Sequence, residues 1–445
     1  MNKRITVLGG GPGGYTAAIR GAQAGAQVTL IEKTSVGGTC LNWGCIPTKS
    51  YIEGVAGYPK NLKELKNKKD NIVAQLVGGV ETLIHKNKVE FIRGEGRVIS
   101  PRQVEVMLSD GTKRLVENDV LILATGSRSI NLPIKGIDAP RVVDSKGILE
   151  LEEIPQSLLI IGGGVIGLEF AQIFAGLGSK VTIVEMLPKI LANLDEELVR
   201  RLQPVLKKQG IEILTGTRVM ELEDKDGVFF VKVSGKKEEI LEADLVLSAA
   251  GREPNLQGID PQELGLAMDG KFIEVDEKMQ TNLSNVFAIG DLVKSPMLAH
   301  VASYEGEVAM KVVCGLEAQA NYSAIPSCVY THPELAGVGI DENQAKIQGL
   351  NYKAGKFPFS ANGRALTQDA AYGMVKIIAQ EETGRILGGH ILGPNASELI
   401  HELTLAVRWG LTVEQVAETI HAHPTLSEAM LEAAHAVFHK PIHSL

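Results

Sequence analysis

An α/β fold with two similar halves is predicted by three features of this 445-residue sequence. First, the segment 5–32 recurs as the segment 159–185, so that Gly9 and Glu32 reappear 153 positions later as Gly162 and Glu185. Second, each copy contains an apolar strand, a Gly-x-Gly-x-x-Gly turn, a helix, a second strand and a terminal acid. Third, an apolar strand ending in glycine follows each copy, at 119–126 and at 244–251. This order is typical of two Rossmann-like dinucleotide-binding domains.

The glycines of both turns suit a pyrophosphate. Glycine lets the backbone approach a phosphate closely, and the following helix begins with unpaired N–H groups and a partial positive charge. The glycines that we expect to bind the two nucleotides are Gly9, Gly11 and Gly14 in the first copy and Gly162, Gly164 and Gly167 in the second.

The terminal acid of each copy predicts how the ribose is held. Glu32 and Glu185 stand where a carboxylate accepts hydrogen bonds from ribose hydroxyls. Glu185 would repel a 2'-phosphate, and no arginine follows it before Arg200. We therefore expect the second nucleotide to be NAD rather than NADP.

Two cysteines in Gly37–Lys49, Cys40 and Cys45, predict redox chemistry. Zinc ligands are normally spaced two to four residues apart and occur with a second pair, which this sequence does not contain. In an ideal helix the two Cα atoms would lie roughly 8 to 9 Å apart, too far for a disulfide without backbone distortion. Gly44 makes that distortion inexpensive. A strained, accessible disulfide is the reducible kind.

Composition excludes several function classes. The net charge of -8 argues against a nucleic-acid partner and against an anionic membrane surface. An apolar strand begins within the first eight residues, so we expect no signal peptide and a cytoplasmic location. The apolar stretch 157–174 contains four glycines and Glu169, and we interpret it as strand, turn and helix rather than a membrane span. Two further cysteines, Cys314 and Cys328, are expected to be buried thiols.

Outside the repeats, periodicity predicts further elements. The lysine-rich run 60–69 is interpreted as a solvated helical face, and a helix is expected to begin near Asn71. In the C-terminal region, which contains no nucleotide fingerprint, a strand is expected over 372–378 and helices over 397–409 and 413–419. This region predicts an α+β domain.

Taken in order, these motifs resemble the pyridine nucleotide-disulfide oxidoreductase family. The motifs that carry the resemblance span the chain: 9–14, 37–49, 124–126, 162–167, 251–255, 288–291, 297–300 and 421–428. The resemblance implies FAD in the first domain, NAD in the second, no metal, and a homodimer formed through the C-terminal domain. The implied boundaries are 1–143 for the first part of the FAD domain, 144–270 for the NAD domain, 271–321 for a return segment of the FAD domain and 322–445 for the dimerisation domain.

The same resemblance implies a role for individual residues. Cys40 is similar to the family's interchange thiol and Cys45 to the thiol that faces the flavin, while His423 corresponds to the catalytic base and Glu428 to its carboxylate partner. Lys49 is expected beside the flavin, paired with Glu169, because a buried lysine is costly without an acid. The remaining residues with an implied cofactor contact are Asp291 and Ala299 for FAD, Gly96 and Gly126 for FAD by backbone, Val219 for NAD, and Gly251 as a further cofactor-binding residue.

The implied activity is the oxidation of a protein-bound dihydrolipoyl group, with NAD as hydride acceptor. The lipoyl group would belong to another chain, of a 2-oxo acid dehydrogenase or a glycine cleavage system, because this sequence contains no lipoyl domain. Two alternatives stay open. The segment 50–70 is shorter than is typical of the family, which leaves an NADH-dependent reductase of another small disulfide. The other is a flavoprotein that acts mainly as a structural component of a large complex.

Overall fold

A computed structural model describes residues 3–56, 61–438 and 441–443. The chain forms two compact units, each built from separated segments of sequence. Unit 1 contains residues 1–133, 143–153 and 250–321, and unit 2 contains residues 134–142, 154–249 and 322–445.

The strands, in chain order, are β1 Arg4–Leu8, β2 Gln27–Glu32, β3 Glu90–Ser100, β4 Gln103–Leu108, β5 Lys113–Glu117, β6 Val120–Leu123, β7 Ser127–Ser129, β8 Val142–Val143, β9 Ser157–Ile161, β10 Lys180–Glu185, β11 Ile211–Thr215, β12 Arg218–Lys225, β13 Val228–Ser234, β14 Glu238–Ala243, β15 Leu245–Ser248, β16 Arg252–Pro254, β17 Met268–Asp269, β18 Phe272–Ile273, β19 Val286–Ala288, β20 Ser327–Val329, β21 Glu334–Gly339, β22 Tyr352–Pro358, β23 Met374–Gln380 and β24 Ile386–Gly393. The α-helices are α1 Pro12–Gln23, α2 Gly38–Trp43, α3 Cys45–Ala56, α4 Leu62–Lys86, α5 Val165–Leu177, α6 Glu196–Lys208, α7 Pro261–Leu264, α8 Ala299–Val313, α9 Glu342–Ile347, α10 Gly363–Thr367, α11 Ala396–Trp409, α12 Val413–Glu418 and α13 Glu428–Val437. Short 3-10 helices occur at Gly147–Glu150, Gly290–Leu292 and Phe359–Ala361.

Unit 1 is built on a seven-stranded sheet in the order β19-β6-β1-β2-β3-β4-β5. The strands from β19 to β3 are parallel, and β4 and β5 continue the sheet antiparallel. Both faces of the parallel part are buried, because alternate side chains enter two separate cores. Ile5 and Ile122 pack with α1 and α8 on one side, whereas Leu8 and Leu121 belong to the core on the other side. Continuous apolar strands of this kind are expected of a parallel sheet covered on both faces.

Unit 2 contains the second copy of the same arrangement. Its parallel strands lie in the order β11-β10-β9-β15, with β9 at the position that β1 has in unit 1. The antiparallel sheet β12-β13-β14 follows β11. The C-terminal part of the unit is an antiparallel sheet, β20-β21-β24-β23-β22, packed against α11 and α13. The predicted α/β class is confirmed, and the four-part domain division remains a prediction.

Several local predictions need correction. The helix expected near Asn71 begins at Leu62, where Asn61 caps it by accepting a hydrogen bond from the Lys63 N–H. Two residues of the lysine-rich run 60–69 differ from the expected solvated face. Lys60 lies outside the described residues. Lys69 is buried, and its ammonium group lies 2.9 Å from a carboxylate oxygen of Asp70 and 2.9 Å from one of Glu150. The thiols of Cys314 and Cys328 are half-buried rather than buried.

In the C-terminal region, the predicted strand and both predicted helices are present, with small differences at their ends. The strand expected over 372–378 is β23, which begins and ends two residues later, and the two expected helices are α11 and α12. The stretch 157–174 forms strand, turn and helix, as β9 and α5. Throughout the described ranges, no helix combines the length and the apolar composition needed to cross a bilayer.

Candidate active site and nucleotide sites

The two glycine turns have matching geometry, each within its own unit. A Cβ added to Gly14 would lie 1.9 Å from the Gly9 carbonyl oxygen, and one added to Gly167 would lie 2.1 Å from the Gly162 carbonyl oxygen. The third glycine of each motif is therefore required for the helix to pack against the turn. Helix α1 begins after Gly11 and helix α5 after Gly164, without a side-chain cap at either N-terminus. Both turns fit the pyrophosphate of a dinucleotide.

The two terminal acids also occupy equivalent positions. Glu32 Oε2 accepts a hydrogen bond of 2.8 Å from the Gly10 N–H, and Glu185 Oε2 accepts one of 2.6 Å from the Gly163 N–H. Each carboxylate thus lies at the glycine turn, at the end of the second strand of its copy. The prediction that they bind ribose hydroxyls fits this position.

The two cysteines lie on different helices. Helix α2 contains Cys40 and ends at Trp43, and helix α3 begins at Cys45. Gly44 separates them with φ −135° and ψ −110°. A Cβ added to Gly44 would lie 3.0 Å from the Thr39 carbonyl oxygen and 3.3 Å from the Cys40 Cα. The helix break allows a hydrogen bond between Cys40 and Cys45, which their spacing in a continuous helix would prevent.

The pair is electrostatically asymmetric. A hydrogen bond to Cys45, burial and the charge of Cys45 together raise the pKa of the Cys40 thiol, while Lys49 acts in the opposite direction. Cys40 therefore holds its proton more strongly than an ordinary thiol. The position of Cys45 at the start of a 12-residue helix favours a thiolate, because the first N–H groups of a helix lack intrahelical partners.

Asp291 belongs to a polar network in unit 1. It lies in the 3-10 helix after β19, and its Oδ2 accepts a hydrogen bond from the Ser127 hydroxyl. The Arg252 guanidinium donates from Nε to Ser127 Oγ at 2.7 Å and from Nη2 to the Ser127 carbonyl oxygen at 2.8 Å. Ser127 and Arg252 lie on β7 and β16, which pair antiparallel and follow the two repeated strand-glycine turns.

His423 and Glu428 form a direct pair in unit 2. The distance between His423 Nδ1 and Glu428 Oε1 is 2.9 Å, and the Thr425 N–H donates to Glu428 Oε2 at 2.8 Å. Burial opposes ionisation of Glu428, but the Thr425 N–H and the His423 ring hold its pKa below the usual range. An ionised carboxylate only accepts, so His423 Nδ1 carries a proton, and in the neutral ring the lone pair then lies on Nε2. The His423 side chain is 78% exposed, which leaves Nε2 accessible.

The neighbouring histidine differs. His421 Nδ1 lies 2.8 Å from the Thr419 carbonyl oxygen, and its Nε2 lies 3.0 Å from Glu402 Oε1. Both ring nitrogens face acceptors, and the side chain is buried. This environment fits the packing role expected of His421 and supports His423 as the base.

The other predicted contacts have mixed support. Ala299 is the first residue of α8, where its N–H is available to a ligand. Gly126 and Gly251 both have positive φ in turns after β6 and β15. Gly96, in contrast, lies within β3, where an added Cβ would be 2.4 Å from Leu8, so packing alone requires glycine.

Two predicted contacts involve buried residues of unit 2. The Val219 side chain is buried in β12, and only its backbone could contact NAD. Glu169 is buried in α5 and accepts a hydrogen bond of 3.2 Å from the Tyr330 N–H. Its pairing with Lys49 remains a prediction.

Sequence reasoning missed Ser127 and Arg252. Both stand directly after the glycines of the second repeat, Gly126 and Gly251. Their position next to a repeated turn is the signal in the sequence that indicates them. What the sequence could not show is that β7 and β16, the strands that follow the two turns, pair with each other.

The chain belongs to the pyridine nucleotide-disulphide oxidoreductase family. The family model of that description matches residues 3–306, and the model of the family's dimerisation domain matches residues 325–434. The cofactors of this family are FAD and NAD(H), which fit the two glycine turns and their acids.

Among named relatives, the chain is similar to dihydrolipoyl dehydrogenase 2, mitochondrial, of Arabidopsis thaliana, with 43% identity over 99% of this chain and 91% of the relative. It is 42% identical to dihydrolipoyl dehydrogenase of Geobacillus stearothermophilus, over 98% of this chain and 96% of the relative. Among solved structures, the HOCl-induced flavoprotein disulfide reductase RclA of Escherichia coli superposes with a TM-score of 0.89 at 28% identity, covering 96% of this chain and 98% of RclA.

Proposed function

We propose that this chain is an FAD-dependent dithiol-disulfide oxidoreductase that oxidises a protein-bound dihydrolipoyl group and reduces NAD. The observation that carries the proposal is the cysteine pair: the helix break at Gly44 leaves Cys40 in α2 and places Cys45 at the first position of α3. The extensive identity with dihydrolipoyl dehydrogenases supports the choice of substrate.

The pair supplies the disulfide that the substrate reduces. Bound FAD supplies a two-electron acceptor for the cysteine pair, and NAD supplies the final hydride acceptor. The glycine turns and the helix N-termini of α1 and α5 hold the pyrophosphates, and Glu32 and Glu185 bind the riboses. Ala299 and Asp291 provide further polar contacts to the first nucleotide.

The thiol steps use residues of this chain. His423 Nε2 removes the proton from one substrate thiol, and the resulting thiolate attacks Cys40 Sγ. The Cys40–Cys45 bond breaks and Cys45 leaves as a thiolate, stabilised at the N-terminus of α3. The second substrate thiol, after losing its proton, then attacks the mixed disulfide. The substrate leaves as a disulfide, and Cys40 takes up a proton.

Glu428 serves this proton transfer indirectly. Its carboxylate accepts the hydrogen bond from His423 Nδ1, which fixes the ring tautomer with the lone pair on Nε2. The same carboxylate stabilises the imidazolium that forms when Nε2 takes the proton. Glu428 is itself fixed by the Thr425 N–H.

The proposal includes a homodimer in which His423 serves the cysteine pair of the partner subunit. It is supported by the family's dimerisation domain over 325–434 and by exposed apolar side chains in this region, including Leu405, Trp409 and Ile420. The lipoyl group belongs to another chain, a component of a 2-oxo acid dehydrogenase or glycine cleavage system. We propose a cytoplasmic location, because a catalytic disulfide functions in a reducing compartment; fractionation of the source cells tests it.

Mixing two inactive variants tests the proposal. His423→Ala and Cys40→Ser homodimers should each be nearly inactive with dihydrolipoamide. After subunit exchange, each heterodimer should contain one site with both groups intact. Random mixing gives about half heterodimers with one working site each, so roughly a quarter of wild-type activity should return if the sites are independent.

A substrate panel completes the test. The His423→Ala variant should still accept electrons from NADH and pass them to artificial acceptors, because that half-reaction requires no substrate thiol to lose a proton. No recovery despite confirmed exchange would reject the shared site. A marked preference for another small disulfide over lipoamide would favour the alternative reductase activity.

A further inference from the structure

The proposed base, His423, lies in a loop of unit 2 that contains neither helix nor strand. This loop, residues 419–427, joins α12 to α13 and is called the base loop below. The His423 side chain is 78% exposed, so packing around the ring does not fix its position. Glu428 orients the ring through its hydrogen bond, but the place of the ring depends on the backbone of the loop. The contacts that hold this backbone therefore bear on the proton transfer.

On the C-terminal side of His423, the base loop is held through Thr425. The Thr425 N–H donates to Glu428 Oε2 at 2.8 Å, and its hydroxyl donates to the Ala422 carbonyl oxygen at 2.7 Å. Its own carbonyl oxygen accepts a hydrogen bond of 3.0 Å from the Asn362 side-chain amide. Asn362 also caps α10 by accepting from the Ala365 N–H. This side of the loop is thus connected to α13 and to the start of α10.

On the N-terminal side of His423, the connection is made by His421. Its side chain is only 5% exposed, and its Nε2 lies 3.0 Å from Oε1 of Glu402 on α11. Its Nδ1 lies 2.8 Å from the Thr419 carbonyl oxygen, at the start of the same loop. One buried ring therefore joins the beginning of the base loop to a separate helix, two residues before the base.

The two contacts of His421 require two protons. A carbonyl oxygen and an ionised carboxylate only accept hydrogen bonds, whereas a neutral imidazole has a single N–H. Both contacts are hydrogen bonds when the ring carries two protons or when Glu402 carries one. In either form the pair holds one proton more than a neutral histidine beside a carboxylate. With the proton on the ring, the bond to Glu402 is charge-assisted and roughly twice as strong as a neutral one.

We propose that His421 is a positioning residue for the base: through Glu402 it ties the base loop to α11 and so places His423 Nε2 where it removes the substrate proton. The proposal deepens the proposed function and rests on the role of His423 in it. His421 itself contacts neither substrate nor cofactor in this scheme, so its effect is confined to the step that uses His423.

Two reactions of the holoenzyme separate positioning from general stability. Turnover with dihydrolipoamide uses the base, whereas NADH oxidation with artificial acceptors does not. His421→Ala should lower kcat with dihydrolipoamide about tenfold to hundredfold, as expected for a misplaced catalytic group, while NADH oxidation and bound flavin stay at the wild-type level. Glu402→Ala should cause the same loss, because it removes the other end of the connection.

Glu402→Gln is the conservative variant. Its amide can donate to His421 Nε2, while Nδ1 keeps a proton for the Thr419 carbonyl oxygen, so both contacts are retained with a neutral ring. Turnover should therefore remain within about threefold of wild type, because one neutral hydrogen bond replaces another contact of similar geometry. Glu418→Ala is the matched control: it removes an exposed acid at the end of α12, next to the base loop, and should change neither reaction.

Combined variants test whether His421 acts through its two partners. If His421 and Glu402 form one connection, the His421→Ala/Glu402→Ala double variant should be no slower than either single variant, whereas independent losses would multiply. Adding His421→Ala to His423→Ala should leave the residual turnover unchanged, because a positioning residue has no effect once the base is absent. A residue with a general structural role would lower that residual turnover further.

Wild-type turnover in His421→Ala would reject the proposal, and so would multiplied losses in the double variant with Glu402→Ala. Equal falls in turnover and NADH oxidation would also reject it, because they indicate a general structural role. If circular dichroism shows that His421→Ala is not folded, Glu402→Ala provides the same test, since the Glu402 side chain is 35% exposed. Full activity of His423→Ala would instead reject the base of the proposed function. If the wild type does not oxidise dihydrolipoamide, the proposed substrate is rejected, and the same series is measured with dithiothreitol as the dithiol.

Discussion

Replacing Lys376 by methionine should strongly destabilise unit 2. Lys376 lies on β23, and its side chain is 1% exposed. Its Nζ lies 2.8 Å from Asp195 Oδ2 and 3.2 Å from Glu197 Oε2, and it forms a third ion pair with Glu342. Asp195 is buried too, and its Oδ1 caps α6 by accepting from the Leu198 N–H. Methionine has a similar length without the charge, so it leaves the Asp195 carboxylate buried and unpaired.

Breaking a buried ion pair in this way costs about 3–5 kcal/mol. For a cooperative unit of about 150–250 residues each kcal/mol lowers Tm by roughly 2–4 °C, which predicts a fall of about 6–20 °C. Differential scanning calorimetry at fixed scan rate and protein concentration measures it. Lys353→Met, on the adjacent strand β22 and in an exposed pair with Glu381, is the matched control and should change Tm by no more than about 2 °C.

A second variant tests the cause. Asp195→Asn in the Lys376→Met background removes the unpaired charge, while the amide oxygen can still cap α6. Part of the lost Tm should therefore return. A Tm fall below about 2 °C in Lys376→Met, or no recovery in the double variant, would refute the reasoning that an uncompensated Asp195 charge dominates.

The remaining predictions concern pH, nucleotide choice and the base. Burial raises the pKa of Glu197, but Lys356 and Lys376 outweigh it and hold the pKa at about 2. The contribution of Glu197 to stability is therefore present above about pH 4.5 and is lost as the pH falls towards 2. Acid titration followed by circular dichroism should show this loss, and a weaker loss in Lys376→Met. NAD should be preferred over NADP at least about tenfold in kcat/KM, since Glu185 faces the added phosphate at a cost on the order of 1 to 3 kcal/mol, and equal values would contradict that role. Gly167→Ala should lower Tm because its Cβ meets the Gly162 carbonyl, whereas Gly164→Ala, which has open space, should keep Tm and raise the KM for NAD. Glu428→Gln should lower turnover with dihydrolipoamide about 10²-fold while NADH oxidation with artificial acceptors continues, and unchanged turnover would remove Glu428 from the proton transfer.

The sequence predicted the parts of the site that depend on local geometry. The Gly-x-Gly-x-x-Gly motif, repeated at an offset of 153 residues, identified both glycine turns. The structure places Gly14 against Gly9 and Gly167 against Gly162, as the motif requires. The glycine between the cysteines indicated a backbone break, which occurs at Gly44. In each case the physical reason lies within a few tens of residues.

Buried charges were not predictable in the same way. Lys69 belongs to a run of lysines, but Glu150, 81 residues away, and the adjacent Asp70 allow its ammonium group to be buried. Lys376 stands in the strand expected over 372–378, and its partner Asp195 is 181 residues away. Burial of a charge is decided by such a partner, and a single sequence does not indicate which distant acid the fold brings near.

The spacing of the cysteines also determines their different roles. If one helix continued through Cys40 and Cys45, the thiols would point in different directions and neither would be at a helix terminus. The break at Gly44 leaves Cys40 within α2 and places Cys45 at the first position of α3. Only Cys45 then gains the partial positive charge of a helix N-terminus, and Cys40 becomes the hydrogen-bond donor. The glycine that would permit the disulfide therefore also makes the two sulfurs unequal. The proposed mechanism uses this difference, with Cys40 as the sulfur that an incoming thiolate attacks and Cys45 as the leaving group.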